Sequence, residues 1–391
     1  MSRRHPPLVP RMVEHTTSVF AEMSMLATEV GAINLGQGFP DTDGPQEVKD
    51  VAMSAIAQGL GNQYPPPHGL PLLRAAIAAH QQRFYGLAVD PATEVVVGTG
   101  ASEIIQSALL SLVDEGDEVV VFEPWFDIYA AGISLARGRR VAVPLRGPRL
   151  RPDLEALRAA VTPRTRLILL NSPHNPTGIV FTPDELAEVA RIAIANDVLV
   201  LSDEAYEHLW FGDHRHVPIA TLPGMWERTV TVGSGGKTFS FTGWKIGWAT
   251  GPRDLIGAVR VVRQHLSYVS GGPFQYAIAH ALGLPDAYFR EFRADLSAKR
   301  DLLGTGLAEL GFTVIPTEGT YFVTTDVRGL GYADGLAFCR DLPRRAGVVA
   351  IPHQAFCDDA AVGAPYVRWA FCKRPEVLHE ALGRLRSGLG R

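Results

Sequence analysis

The segment Val198-Leu-Val-Leu-Ser-Asp-Glu-Ala-Tyr206 places four apolar residues directly before a polar run. A short apolar stretch of this kind predicts a strand that is buried on both faces. Asp203 follows it after a single serine, and a carboxylate there is costly unless it meets a cation or caps a following helix. If the chain turns helically, Tyr206 shares a face with Asp203. The segment therefore predicts a buried strand with polar groups at its carboxyl end.

Six further β-branched runs resemble this one, and most are separated by amphipathic stretches of helical length. The runs are residues 94–97, 118–122, 140–143, 167–170, 229–232 and 246–250. The helical stretches include 102–113 and 182–195, and the second opens with the capping pattern Thr182-Pro-Asp-Glu185. Strand-helix alternation predicts a three-layer α/β sandwich around a mainly parallel, seven-stranded sheet. Because such sheets bind ligands beyond the carboxyl ends of their strands, the site is expected there.

The pattern changes after about residue 275. A long charged helix is predicted over 286–310, followed by shorter strands at 312–315, 321–325 and 366–371. We therefore expect an N-terminal arm that also contributes to the small domain (1–45), a large domain (46–285) and a small α/β domain (286–391).

Composition excludes several classes of protein. The 37 basic and 41 acidic residues give a net charge of −4, which argues against a nucleic-acid or membrane-surface protein. No apolar stretch approaches the ~20 residues of a membrane span, and the start Met1-Ser-Arg-Arg-His-Pro-Pro7 lacks a signal-peptide core, so we expect a cytoplasmic protein. The three cysteines show no metal or disulfide spacing. His214 and His216 are interpreted as part of a solvated loop, and no metal is expected.

Two strand ends carry features that suit an anion and an amine. Val97-Gly-Thr-Gly-Ala-Ser-Glu103 runs into a helix, and its first-turn amides with Ser102 suit a phosphate. A plain helix start and a dinucleotide loop remain open alternatives. In Gly233-Ser-Gly-Gly-Lys237, a lysine follows a glycine-rich turn, where apolar walls can lower its pKa enough for Schiff-base chemistry. The spacing does not match a Walker A loop.

Two other strand ends add an aromatic plate and an amide. Glu123-Pro-Trp-Phe-Asp-Ile-Tyr129 places rings over the edge of the sheet, where they stack on a flat heterocycle or pack in the core. Asn171-Ser-Pro-His-Asn-Pro-Thr-Gly178 forms a turn in which Asn175 either donates to a ligand or makes the turn itself. An anion site, a ring face, a carboxylate, a phenol and an amine together suit pyridoxal phosphate.

The sequence resembles fold-type I, class I/II aminotransferases over nearly its whole length. The motifs that carry the resemblance are Asn34-Leu-Gly-Gln-Gly-Phe-Pro40, Asn62-Gln-Tyr64, Gly100-Ala-Ser102, Asn175-Pro-Thr-Gly178, Ser202-Asp-Glu-Ala-Tyr206, Ser234-Gly-Gly-Lys237, Gly243-Trp-Lys-Ile-Gly247 and Tyr366-Val-Arg368. The resemblance implies that Lys237 binds pyridoxal 5'-phosphate covalently and then transfers a proton. It also implies that Asp203 pairs with the ring nitrogen, that Tyr206 and Asn175 bind the 3′ oxygen, and that Phe126 stacks on the ring.

The resemblance further implies a phosphate site, a substrate site and a homodimer. The phosphate would contact Gly100, Ala101, Ser102, Ser234, Lys245 and, from a partner subunit, Tyr64. The substrate would contact Gly38, Asn175, Phe20 and Tyr268, with Arg368 binding its α-carboxylate.

The likeness is greatest to N-succinyldiaminopimelate, kynurenine and glutamine-phenylpyruvate aminotransferases. The likeness to the N-succinyldiaminopimelate enzymes rests on three segments: Thr17-Ser-Val-Phe-Ala-Glu-Met-Ser24, Asn171-Ser-Pro-His-Asn-Pro176 and Leu266-Ser-Tyr-Val-Ser-Gly-Gly-Pro-Phe274. It implies transfer of an amino group, with glutamate as donor, to N-succinyl-L-2-amino-6-oxopimelate in lysine biosynthesis. The alternatives are a kynurenine-, glutamine-phenylpyruvate- or methionine-type aminotransferase, a cysteine-conjugate β-lyase using the same site, or a non-catalytic regulatory protein.

Overall fold

An eight-stranded sheet forms the centre of the computed structural model, which describes residues 7–16, 18–332 and 334–390. In spatial order its strands are Val95–Thr99, Ile246–Thr250, Thr229–Ser234, Leu199–Asp203, Thr165–Asn171, Glu118–Glu123, Arg139–Arg146 and Arg151–Pro152. All seven predicted strands are present, and the predicted α/β class is confirmed. The eighth strand, Arg151–Pro152, was not predicted, because a two-residue segment is too short to show a periodic pattern.

All strands of this sheet are parallel except two. Arg151–Pro152 is antiparallel to its neighbour, and Ile246–Thr250 is antiparallel to both of its neighbours. The second exception matters for the site, because the start of this strand lies at the edge where the other strands end. Lys245, which directly precedes it, is thereby placed beside the residues that follow Val95–Thr99.

Both faces of the sheet are buried. Along Glu118–Glu123, Val119 and Val121 pack into one hydrophobic cluster, whereas Val120 and Phe122 pack into another. This alternation follows from the two-residue period of a strand and explains the continuous apolar runs in the sequence.

The α-helices are Val19–Val30, Gln46–Ala57, Pro71–Tyr85, Gly100–Leu112, Ile128–Leu135, Leu154–Ala160, Pro183–Ala195, Gly235–Thr238, Arg253–Leu266, Gly272–Leu282, Asp286–Glu309, Gly335–Ala346, Ala360–Gly363 and Pro375–Leu389.

The capping pattern at Thr182 forms as predicted. The Thr182 hydroxyl accepts from the backbone N–H of Glu185, and the Glu185 carboxylate accepts from the backbone N–H of Thr182. These two bonds fix where Pro183–Ala195 begins.

A second sheet lies in the C-terminal part of the chain. Its four strands are, in order, Thr313–Ile315, Phe322–Asp326, Tyr366–Ala370 and Ile351–Pro352. The N-terminal segment joins this region, since Ile33–Asn34 pairs in parallel with Val348–Val349. The exact domain bounds at residues 45 and 285 stay a prediction. Within the described residues, no helix combines the length and apolar character that a membrane span requires.

Candidate active site

A cavity of about 270 Å³ lies at the edge of the large sheet where the parallel strands end. The predicted site residues that line it are Phe20, Gly38, Gly100, Ala101, Ser102, Phe126, Asn175, Asp203, Tyr206, Ser234, Lys237, Lys245 and Arg368. They come from positions as far apart in sequence as Phe20 and Arg368. The fold therefore brings together thirteen of the fifteen residues that the sequence predicted.

Asp203 is the last residue of Leu199–Asp203 and is 5% exposed. One carboxylate oxygen accepts from the backbone N–H of Ala205 at 3.1 Å, and the other accepts from the hydroxyl of Tyr129 at 2.5 Å. Burial raises the pKa of Asp203, while these two hydrogen bonds and the charge of Lys237 oppose the rise. A cation in the cavity would stabilise the ionised form further.

Lys237 lies in the one-turn helix Gly235–Thr238, which begins where the Ser234 hydroxyl accepts from the backbone N–H of Gly236. Its amine donates to the Tyr321 hydroxyl at 2.9 Å and to the Gly38 carbonyl at 3.2 Å. Burial, assisted by the charges of Arg368 and Lys245 and opposed by Asp203, lowers the pKa of Lys237 to about 8. A much larger fraction of the amine is therefore neutral near physiological pH than for an ordinary lysine, and the neutral amine can act as a nucleophile or a base.

One end of the cavity is suited to an anion. Gly100 has a φ of 76° and begins the helix Gly100–Leu112, and a Cβ at this position would lie 3.2 Å from the amine of Lys245. Lys245 itself has a φ of 55°, in the left-handed region that is unfavourable for a lysine. Among the described residues, no carboxylate forms an ion pair with Lys245. A helix start, a hydroxyl at Ser102 and this ammonium form a set of phosphate donors.

Glu103 argues against the dinucleotide-loop alternative. Its carboxylate accepts from the backbone N–H of Thr99 and lies 3.6 Å from Arg263 Nε. The side chain thus occupies the turn, where a dinucleotide loop has a small residue for close helix-strand packing. A helix start that also binds an anion fits this geometry.

The opposite end of the cavity carries a buried guanidinium. Arg368, on Tyr366–Ala370, is 2% exposed, and among the described residues its Nε has no hydrogen-bond partner. Its guanidinium lies 4.0 Å from the centre of the Phe322 ring and 5.0 Å from that of Phe20. A buried guanidinium without a carboxylate partner is an energetically costly arrangement that a bound carboxylate would relieve.

Two predicted site residues do not line the cavity of their own chain. Tyr64 is 80% exposed and Tyr268 is 45% exposed, and their rings pack edge to face with centroids 5.5 Å apart. Their contacts with cofactor and substrate stay predictions, and for Tyr64 the resemblance implies a contact made in a partner subunit.

Sequence reasoning missed several residues at or behind the cavity. Gln37, Phe39, Ile105, Asn171, Ala205, Gly236, Thr242, Ile246 and Phe322 line it, while Tyr129 and Tyr321 support it from behind. Five of them lie inside the motifs that carry the family resemblance, which could have identified them: Gln37, Phe39, Ala205, Gly236 and Ile246. Tyr321 follows Gly319-Thr320 without a strand-end signal, and nothing in the sequence pattern indicated its contact with Lys237.

The solvated-loop interpretation is wrong for His216. Its side chain is buried, and its Nε2 lies 2.9 Å from a carboxylate oxygen of Glu204, also buried. His214 remains partly exposed, as expected. The error arose because a buried carboxylate needs a polar partner, and the sequence did not show that Glu204 is buried.

A second cluster of buried polar side chains lies beside His216 and Glu204. The Nε2 atoms of His80 and His208 are 2.7 Å apart, and the Glu207 carboxylate accepts from the Tyr85 hydroxyl at 2.7 Å. Ligand nitrogens 2.0–2.1 Å from one tetrahedral zinc ion would stand about 3.3 Å apart. The spacing of the two imidazoles is thus that of a direct hydrogen bond. The absence of a metal site stays a prediction.

A nucleophilic lysine, a buried carboxylate, an anion site and a buried guanidinium on this fold define a pyridoxal-phosphate-dependent aminotransferase. The residues fit the cofactor: its phosphate has donors at one end, and a substrate carboxylate has Arg368 at the other. The chain belongs to the family of class I and II aminotransferases, whose sequence profile matches residues 30–385. It is an enzyme that uses pyridoxal 5'-phosphate and acts on amino acids and oxo acids.

Several curated relatives cover nearly the whole chain. A probable N-succinyldiaminopimelate aminotransferase of Mycobacterium tuberculosis is 51% identical over 96% of this chain and 97% of its own length. The solved structure of the M. tuberculosis N-succinyldiaminopimelate aminotransferase superposes with a TM-score of 0.95, at 52% identity, over 97% of this chain and 99% of the other. An Escherichia coli methionine aminotransferase is 37% identical (97% and 99% coverage), and a Dictyostelium discoideum kynurenine–oxoglutarate transaminase 38% (93% and 92%). The predicted resemblance is confirmed.

Proposed function

We propose that the enzyme transfers the amino group of glutamate to N-succinyl-L-2-amino-6-oxopimelate, in lysine biosynthesis. The observation that carries this proposal is the 51% identity, over 96% of the chain, with the probable N-succinyldiaminopimelate aminotransferase of M. tuberculosis. The methionine and kynurenine enzymes cover 97% and 93% of the chain at only 37% and 38% identity.

Lys237 and Asp203 are the proposed catalytic centre. When bound, the cofactor supplies an aldehyde that holds the amino group and a ring that accepts electrons from the substrate Cα. Lys237 would hold the cofactor at rest and, once free, move the proton at the substrate Cα, a role that suits an amine with a pKa of about 8. Asp203 would keep the ring nitrogen protonated, and Tyr206 and Asn175 would donate to the ring's 3′ oxygen.

The remaining site residues would bind and orient. Ala101, Ser102, Ser234 and Lys245 would hold the phosphate, and Phe126 would cover the ring face. Arg368 would bind the α-carboxylate in a two-pronged pair, because its guanidinium is already fixed by Asn175, Gly36 and the Phe322 ring.

The far end of the acceptor must be recognised by other groups. The cations that line the described cavity are Lys237, Lys245 and Arg368, and each already has a proposed role. Trp125 and Ser270 could offer an indole N–H and a hydroxyl to that end, but they do not line the cavity of their own chain. We infer that Gln37 and residues of a partner subunit, Tyr268 among them, bind the distal carboxylate. The homodimer and a cytoplasmic location are part of this proposal.

One observation favours a second candidate, a methionine- or aromatic-type aminotransferase. Four phenylalanines line the cavity, namely Phe20, Phe39, Phe126 and Phe322. Such rings suit an uncharged side chain better than a carboxylate, which is costly to bury without a partner.

The test is a comparison of kcat/KM for three acceptors with glutamate as donor. We expect kcat/KM for N-succinyl-L-2-amino-6-oxopimelate to be higher than kcat/KM for phenylpyruvate or for the oxo acid of methionine. The ratio of two kcat/KM values reports how well the enzyme discriminates between acceptors in the transition state. A kcat/KM at least tenfold higher for either smaller acceptor would replace the proposal with the second candidate.

Release of pyruvate and ammonia from cysteine conjugates, without an acceptor, would instead indicate a β-lyase.

A further inference from the structure

Tyr129 lies directly behind the catalytic carboxylate. It belongs to the helix Ile128–Leu135, is 2% exposed, and its hydroxyl donates to Asp203 at 2.5 Å. The other Asp203 oxygen accepts from the backbone N–H of Ala205. Each carboxylate oxygen thus has one fixed donor, and together the donors set the plane of the carboxylate.

The same side chain supports the aromatic wall of the cavity. The Tyr129 ring stands perpendicular to that of Phe126, with centroids 5.8 Å apart and an interplanar angle of 90°. Phe126 and Asp203 both line the cavity, whereas Tyr129 does not. Tyr129 therefore has an indirect route to the cofactor through these two neighbours.

We propose that Tyr129 is a positioning residue that keeps the Asp203 carboxylate oriented and ionised for the ring nitrogen of the cofactor. The proposal rests on the role proposed above for Asp203. A hydrogen bond to an ionised carboxylate favours the charged form, so loss of the hydroxyl makes Asp203 more basic. The proton shared between Asp203 and the ring nitrogen then moves toward the carboxylate. A ring nitrogen without its proton withdraws fewer electrons from the substrate Cα.

The test uses Tyr129→Phe, which retains the ring and its contact with Phe126. Enzyme loaded with cofactor labelled with ¹⁵N at the ring nitrogen is titrated by NMR, since the ¹⁵N shift reports protonation. We expect the ¹⁵N shift of the variant to lie closer to the value of an unprotonated ring nitrogen than that of the unmodified enzyme, at every pH at which Asp203 and the ring nitrogen share a proton. We also expect kcat to fall about tenfold, the order expected for one hydrogen bond to a charged group, with a smaller change in KM.

Tyr332→Phe is the matched control. It removes another tyrosine-aspartate hydrogen bond, 2.8 Å long, between Tyr332 and Asp341 at the surface. Its ¹⁵N titration and kcat should equal those of the unmodified enzyme. An unchanged ¹⁵N titration in Tyr129→Phe, with a clear change in Asp203→Asn, would overturn the role of Tyr129 alone. If Asp203→Asn also leaves the titration unchanged, the role of Asp203 fails first, and that of Tyr129 with it.

Discussion

Arg368 donates a hydrogen bond of 2.8 Å to the side-chain oxygen of Asn175, 193 residues away in the sequence. A second guanidinium nitrogen donates to the Gly36 carbonyl at 2.6 Å. Neutral acceptors thus hold the guanidinium in place while its positive charge remains uncompensated. Among the described residues, no carboxylate forms an ion pair with Arg368, which is consistent with a site for a substrate carboxylate.

The neutrality of Asn175 is therefore expected to be essential. Asn175→Asp would place a carboxylate against Arg368 and satisfy its charge within the protein. We expect KM for glutamate to rise at least about tenfold, since a charge-assisted pair would have to be broken on binding. Steady-state kinetics measure this change. Asn196→Asp, an equal change of charge outside the cavity, should leave KM unaltered; an equal rise in both variants would contradict the explanation.

Lys237 should bind the cofactor covalently with a pH dependence set by its lowered pKa. The neutral amine reacts, so attachment to cofactor-free enzyme should accelerate as pH rises and reach half its maximal rate near the pKa of about 8, rather than near the usual 10.5. Stopped-flow absorbance measures the rate. After borohydride reduction, mass spectrometry should locate the cofactor on Lys237, and Lys237→Ala should show neither attachment nor turnover. Near-normal turnover in Lys237→Ala would sink the assignment.

Asp203→Asn should retain the fold and lose most of the catalytic rate. An amide is close in shape to the carboxylate: its oxygen can still accept from the backbone N–H of Ala205, and its NH2 group can donate to the Tyr129 hydroxyl. It carries no charge to stabilise a protonated ring nitrogen. We expect kcat to fall about 100-fold or more, the scale typical of losing an electrostatic contact to a developing charge. Steady-state kinetics and circular dichroism test both halves of this prediction. Full activity would show that another group pairs with the ring nitrogen.

Much of this site could be predicted because strand ends and motifs are local in sequence. The runs before Asp203 and Ser234 indicated buried strands, and topology then required their ends to meet. The contact of Tyr129 with Asp203, by contrast, depends on the rotation of a short helix and on packing across the sheet, between strands that Thr165–Asn171 separates, which no local pattern records. The burial of His216 depends in the same way on its packing against the buried carboxylate of Glu204. Local chemistry was predictable, whereas contacts made through tertiary packing were not.

Glu207 should make folding stability fall as pH rises. Burial, reinforced by the charge of Glu204 and opposed by the Tyr85 hydrogen bond, raises the pKa of Glu207 to about 8 from 4.5. The folded state therefore holds a proton that the unfolded state releases between these values. The stabilisation of the folded state by this proton is fully present below pH 4.5 and is lost as pH rises through 8. Glu207→Gln, which keeps an acceptor for Tyr85, should remove the dependence.

Thermal or urea unfolding at several pH values measures this effect. Between pH 5 and 8 the unmodified protein should lose, relative to Glu207→Gln, on the order of a few kcal/mol of unfolding free energy. Glu309→Gln, a surface change, should follow the unmodified protein. Parallel stability curves for Glu207→Gln and the unmodified protein would show that Glu207 is ionised in the folded state.

The proposed sharing of sites between subunits can be tested by mixing two defective variants. Lys237→Ala destroys the site of its own subunit but retains Tyr64. Tyr64→Ala retains Lys237 but, because Tyr64 is 80% exposed and outside its own cavity, should impair only the partner's site. In a mixed dimer, the Tyr64→Ala subunit receives the intact Tyr64 of its partner, so one site of two is complete.

Equal amounts of the two variants, unfolded and refolded together, should form half of their dimers as hybrids. Each hybrid has one working site, so the expected activity is about a quarter of that of the unmodified dimer, above the sum of the two variants refolded separately. Sedimentation should show dimers in all three samples. If Tyr64 acted within its own chain, every hybrid site would retain one defect and mixing would restore nothing, which would refute the shared site.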